Sequence, residues 1–244
     1  ANLIGALRSA NPGATLVSVS SASVMGSTQR RAPPVRPQDP VSPSDAYSAS
    51  KIEAETLVAA SGLKHCVLRL AAVLPTCLDL GSLIGMVRVF FDMPLDARCE
   101  IVVDLDVAYA LVSAAENLVG SGELAGATLF IAGGAAGGCQ IHTRDLVRLV
   151  FVPVGLRSPA DELFAQDLDS YYLDWYDTDL TQGLLRYQRH SADDWRSLIA
   201  RKIRPLRPLI VLFRPAIMAW LERQSPRSEK CADRQPLRGR RTRG

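Results

Sequence analysis

The chain has 244 residues, 48% of them hydrophobic and 22% charged, an ordinary globular composition with room for one sizeable domain or a domain plus a small lobe. The net charge of +3 divides unevenly: residues 196–244 carry 14 Lys/Arg against 3 Asp/Glu, while residues 1–195 carry 14 against 22, so a mildly acidic body argues against a nucleic-acid-binding core. Five cysteines (Cys66, Cys77, Cys99, Cys139, Cys231) without a C-x-x-C pair argue for reduced thiols in the cytoplasm over a disulfide framework. No basic start followed by an apolar run marks a signal peptide, and no uncharged apolar run reaches the roughly 20 residues of a spanning helix.

In chain order, residues 2–10 read as a helix with Leu3, Ile4 and Leu7 on one face, stopped by Asn11-Pro12-Gly13. Residues 14–20 form a short β-rich run. Five prolines between 29 and 44 make a loop, and 45–60 has helical spacing. Residues 66–70 with Val73 are expected to form a second apolar strand, 107–118 a helix, 128–132 a third strand and 144–150 another helix. This alternation implies a parallel sheet covered by helices. From Pro205 the chain turns Arg/Pro-rich, and disorder is expected after Gln224.

The sharpest chemical feature is Tyr47-Ser48-Ala49-Ser50-Lys51 at the start of the 45–60 helix. Four residues make about one helical turn, so phenol and ammonium share a face. Phenols ionise near pH ~10, and a neighbouring ammonium favours the phenolate. Such a pair can take a proton from a substrate hydroxyl while hydride leaves the same carbon. By itself Y-x-x-x-K also arises on solvated surface helices. Its context is more specific, because a strand runs directly into Ser20-Ser21-Ala22-Ser23-Val24-Met25-Gly26, and the carboxyl end of a strand is where α/β sheets place ligands.

The ordered set of strand, S-S-x-x-V-x-G, proline-rich loop and P-S-D-A-Y-S-A-S-K-I-E-A-E resembles the active-site half of the extended short-chain dehydrogenases/reductases, the NAD-dependent epimerase/dehydratase family. The run V-L-R-L-A-A-V-L-P at 67–75 is similar to the family's strand leading to the nicotinamide, and 101–110, 130–134 and 174–190 look like later family segments. The resemblance implies a partial Rossmann-like, doubly wound, mostly parallel sheet with helices on both faces and a small C-terminal substrate lobe. It divides the chain at 1–138 (dinucleotide-binding domain, with 75–100 contributing to the lobe), 139–200 (substrate lobe) and 201–244 (basic, apolar, Pro-rich tail). It makes Ser21, Tyr47 and Lys51 catalytic. It places Ser20, Tyr47, Lys51, Leu70 and Val73 at the cofactor, NAD or NADP, although turn capping also accounts for Ser20 and Ser23. It implies a nucleotide-sugar substrate and a homodimer; His65, His142 and His190 have no metal-ligand spacing, so no metal is expected, and the acidic body gives no expectation of a specific nucleic acid.

Departures from the family pattern narrow the chemistry. Met25 stands where the family commonly has a tyrosine, and Leu70 follows Arg69 where a proline is frequent. The family's sugar dehydratases carry an acidic pair after the serine; here Ala22 and Ser23 follow Ser21, which favours epimerase or simple oxidoreductase chemistry. The family's Gly-rich cradle should lie roughly a hundred residues before the serine, and only 20 residues precede Ser21. Gly120 to Ala125 matches G-x-G-x-x-A but follows a helix, as a helix-ending turn does. Gly133 to Gly138 reads as a flexible loop. The expectation is a partial chain whose 14–20 strand is an exposed edge and which binds dinucleotide weakly. Two rival functions are a non-catalytic remnant acting as a binding module and a dehydrogenase of steroid-like alcohols. For 201–221, packing on the body competes with weak contact to a membrane surface.

Overall fold

The computed structural model describes residues 2–77 and 87–227. At its centre three parallel strands, β1 (Thr15–Ser21), β2 (Lys64–Leu70) and β5 (Thr128–Ile131), lie in the order β1-β2-β5. Side chains alternate across a strand, and β2 shows the consequence. Cys66 and Leu68 face helix α3 (Asp104–Val119), packing with Val107, Ala110, Ala114 and Leu118. Arg69 points the other way, to Glu55 on helix α2 (Ala46–Ala59). The sheet is thus covered on both faces, the α/β layering expected from the element order. The registers pair Ser21 with Leu70 and Leu70 with Ile131, so the three carboxyl ends come level.

The expected second strand over 66–70 with Val73 is two strands. After Ala71 the chain enters a second sheet, where β3 (Ala72–Leu74) pairs parallel with β4 (Arg98–Val103), and β4 pairs antiparallel with β6 (Gln140–His142). Strand β4 was not among the expected elements. It is buried from Cys99 to Val103, and a strand covered on both faces shows no alternating pattern to read. Around this second sheet, α4 (Thr143–Phe151) and α6 (Ala192–Ile203) close a core with Phe90, Phe91, Phe164 and Trp195. The Trp195 indole donates to the Pro75 carbonyl at 3.0 Å, fixing the lobe to the end of β3.

The 133–138 segment is not a loose loop. A Cβ at Gly133 would lie 2.5 Å from Cys139 Sγ and 2.6 Å from the Ile101 carbonyl oxygen, so glycine is needed for close backbone approach. Helix α1 (Asn2–Ala10) buries no residue. Among the described residues β1 pairs with β2 alone, so its other edge is free. In the tail, Pro208 and Pro215 sit in the first turns of α7 (Arg207–Leu212) and α8 (Arg214–Glu222), where a missing N–H costs little. Residues 224–227 are tied down rather than loose. Ser225 donates to the Leu163 carbonyl at 2.7 Å and Arg227 to the Phe91 carbonyl at 3.1 Å. The rest of the expected disordered tail, 228–244, and residues 78–86 of the expected lobe contribution lie outside the described residues.

Candidate active site

Helix α2 starts where its cap dictates. Asp45 accepts the Ser48 N–H at 2.7 Å, and the Ser48 hydroxyl oxygen accepts the Asp45 N–H at 3.2 Å, a reciprocal capping box. The Ser48 N–H lowers the Asp45 carboxyl below its ordinary range. This cap sets the first turn and with it Tyr47. One turn on, the Lys51 ammonium lies 5.6 Å from the Tyr47 ring centroid and donates to the Val19 carbonyl at 3.4 Å. Val19 is two residues before Ser21, which ends β1. The Ser21 hydroxyl accepts the Ser23 N–H at 3.2 Å and turns the chain into a 3-10 helix over Ala22–Met25. Tyr47 and Lys51 thus lie on one face of α2, and Lys51 reaches the strand that ends at Ser21.

Tyr47 is 53% exposed, accessible to a ligand rather than committed to the core. In its electrostatic neighbourhood is Tyr172, stacked on Tyr171 at 4.6 Å between centroids. Burial raises the Tyr172 hydroxyl above its usual range; Tyr171 opposes this, and the neighbouring Asp45 and Tyr47 add to it. The fold puts Tyr172 within electrostatic reach of Tyr47. Leu70 lies half-buried at the end of β2, and Val73 is exposed on β3.

Ser20 sits differently from Ser21. It is buried, and its hydroxyl donates to Glu55 Oε1 at 2.5 Å, away from the strand end. Glu55 also receives Arg69 through two bonds, Nε to Oε1 at 3.0 Å and Nη2 to Oε2 at 2.7 Å. Arg69 Nη1 donates to the Pro37 carbonyl at 3.0 Å. This network locks α2, β1, β2 and the proline-rich loop together beneath the Tyr47–Lys51 face. The sequence signal for it was present: Glu55 closes the S-K-x-x-x-E run, and Arg69 is the one charge in the apolar run 66–70. Periodicity cannot say that the two meet.

A second ionic clamp fixes the loop from the other side. Arg98 holds buried Asp174 by Nε to Oδ1 at 2.6 Å and Nη2 to Oδ2 at 3.0 Å, and also donates to the carbonyls of Gln29 and Arg31. The Thr28 hydroxyl donates to Asp174 Oδ2 at 2.6 Å. A cleft of about 630 Å³ opens beyond this clamp, between Pro33, Arg36, Gly134 and Trp175, and contains none of Ser21, Tyr47, Lys51, Leu70 or Val73. Beneath it lies Glu100, fully buried, accepting the N–H groups of Gly134 and Tyr176 at 2.8 Å each and the Gln140 amide at 3.1 Å. Burial pushes its carboxyl up to about 7, and the three donors pull against that shift. Asp177 and Thr178 precede α5 (Asp179–Leu185), as a helix start there requires, and Thr178 accepts the Gln188 amide at 3.1 Å. His190 Nδ1 lies 2.6 Å from buried Asp106, and no group of three or more His, Cys, Asp or Glu side chains among the described residues is placed to hold a metal ion.

Comparisons with known proteins bear on this arrangement. Residues 5–89 match the family model described as the RmlD substrate binding domain. The chain superposes on UDP-glucuronic acid 4-epimerase from Bacillus cereus, solved in complex with NAD, with a TM-score of 0.64 at 16% identity, covering 84% of this chain and 66% of that one. The dTDP-glucose 4,6-dehydratase DesIV from Streptomyces venezuelae, solved with NAD bound, gives a TM-score of 0.64 at 21% identity, with 85% and 65% covered. The fold matches that of these NAD-bound epimerase and dehydratase structures. A dTDP-glucose 4,6-dehydratase from Bacillus anthracis, solved in complex with NAD, matches at a TM-score of 0.64 and 14% identity, covering 83% and 65%. The chain spans just under two-thirds of the length of these three structures. Comparison with curated protein sequences gives no match.

Proposed function

We propose that this chain carries the catalytic half of an NAD(P)-dependent epimerase or oxidoreductase acting on a carbinol carbon of a nucleotide sugar. The observation behind this reading is Tyr47 and Lys51 one turn apart on α2, with the ammonium reaching the Val19 carbonyl beside Ser21. In this reading Tyr47 Oη takes the proton of the substrate hydroxyl and returns it, Lys51 favours the phenolate and holds the nicotinamide ribose, and Ser21 Oγ orients the reacting oxygen. Ser20 acts through Glu55, positioning the helix rather than touching the cofactor. Bound NAD or NADP supplies the hydride acceptor and donor.

The residues present fit the nicotinamide end of that cofactor. Tyr47 is open to a ligand, Lys51 has donors to spare, and Leu70, in register with Ser21, and Val73 offer apolar surface. The pyrophosphate end needs a strand, a Gly-rich turn and a helix N-terminus. Residues 2–21 supply a helix followed by a strand instead. Ala22 and Ser23, both buried behind Ser21, offer no carboxylate for an elimination step, which supports epimerase or oxidoreductase chemistry over dehydration.

The test is expression of the complete reading frame and assay of UDP- and dTDP-sugars with NAD and NADP. Turnover that falls by about 10²–10⁴ in Tyr47→Phe, with nucleotide-sugar binding retained, supports the assignment. A full-frame protein that binds sugar nucleotide but neither dinucleotide would favour the non-catalytic binding module. Turnover unchanged in Tyr47→Phe would remove Tyr47 from the chemistry.

A further inference from the structure

The stretch from Trp195 to Leu221 contains no Asp or Glu and six Arg or Lys. Folding does not neutralise it. Arg196 pairs with Asp193, and Lys202 donates to the Thr76 carbonyl. Among the described residues no carboxylate pairs with Arg201, Arg204, Arg207 or Arg214.

The same stretch carries two apolar stripes. One faces the body: Met218 and Leu221 are buried in the lobe core, with Ile203 and Ile217 packed against it. The turn at Gly155 also lies close beneath α7 (Arg207–Leu212), where a Cβ would meet Val211 Cγ2 at 3.0 Å. The other stripe faces away. Leu209, Phe213, Ala216 and Trp220 follow i, i+4, i+7, i+11 spacing through α7 and α8 (Arg214–Glu222), and all four are exposed. Leu212, 69% exposed, and Leu206, 53% exposed, lie in the same stretch. Helix α7 buries no residue at all. One stripe is enough to dock these helices on the body, so the second needs another partner.

We propose that α7 and α8 form an interfacial anchor for an anionic lipid surface. Leu209, Leu212, Phe213 and Trp220 enter the headgroup–acyl boundary while Arg201, Arg204, Arg207 and Arg214 meet lipid phosphates. Charge selects this occupant. A second copy docked through the same stripe would bring four unpaired arginines onto four others, and like charges across an interface oppose association. A lipid surface of opposite sign turns the same residues into attraction, about fivefold in partition for each cation at the surface. No described helix is long and apolar enough to cross a membrane, and an anchor lying in the interface needs no such helix. The proposal rests on this surface alone and stands apart from the reaction assigned to Tyr47 and Lys51.

The test is co-sedimentation of the full chain with vesicles of equimolar phosphatidylcholine and phosphatidylglycerol, and with vesicles of phosphatidylcholine alone. The chain is expected to sediment with the anionic vesicles, at least about tenfold more weakly with the neutral ones, and less as salt rises. Leu209→Glu with Phe213→Glu should abolish binding at an unchanged Tm, because both side chains are exposed. Arg204→Glu with Arg207→Glu should weaken it by more than about tenfold. Absence of sedimentation with anionic vesicles overturns the proposal. So does a dimer that the Leu209/Phe213 pair of substitutions converts to monomer without changing vesicle binding, since the stripe would then face a second copy.

Discussion

Replacing Glu55 by alanine removes the carboxylate from a charged network that is largely cut off from water. The Arg69 and Glu55 side chains are 7% and 13% exposed, so the discount for a surface ion pair does not apply. In Glu55→Ala the guanidinium keeps the Pro37 carbonyl and loses both charge-assisted bonds, and the Ser20 hydroxyl loses its acceptor. Stranding one charge of a buried pair costs about 3–5 kcal/mol, with about 1 kcal/mol more for the orphaned hydroxyl. That is a large share of a domain's ~5–15 kcal/mol. The double variant Glu55→Leu/Arg69→Met removes both charges at similar volume, and should recover all but about 2 kcal/mol of the loss. Urea unfolding followed by tryptophan fluorescence, Trp195 being buried, measures both variants. Glu55→Ala within about 1 kcal/mol of the parent, or a double variant as unstable as the single, would refute the reasoning.

Two further outcomes follow from the same structure. The Glu100 carboxyl is raised from 4.5 to about 7, so the folded state holds an extra proton between these values, and stability falls as pH rises through that window. The upper limit of the loss is about 3 kcal/mol. Glu100→Gln should flatten the slope of the urea midpoint between pH ~5 and ~8, and an unchanged slope would mean that another group causes it. Gly26 has φ +65°, and a Cβ there would overlap the Ser42 carbonyl oxygen. Gly26→Ala should therefore cost more than about 2 kcal/mol and displace the turn that follows Ser21, read as a fall in Tm of several degrees; a Tm equal to the parent's would show that the loop yields without cost.

The sequence by itself carried the chemistry-bearing pattern. The spacing of Tyr47 and Lys51 needs only a helix, and Asp45 with Ser48 is a local cap that starts one at the right residue. The strand ending at Ser21 was legible as a β-rich run, the one ending at Leu70 as a short apolar run, and the helix over Asp104–Val119 by its helical period. Tertiary structure decided what depends on residues distant in the chain. Glu55 meets Arg69, Asp174 meets Arg98, and Glu100 gathers donors from Gly134, Gln140 and Tyr176 only after the sheets form. Strand β4 stayed hidden because burial on both faces erases its alternation. Val73 was joined to the wrong strand because the break at Ala71 comes from a change of sheet, which pairing partners set and local propensity does not. The two stripes of α7 and α8 looked alike in sequence, and only packing against the lobe separated the one the body uses from the one it leaves exposed.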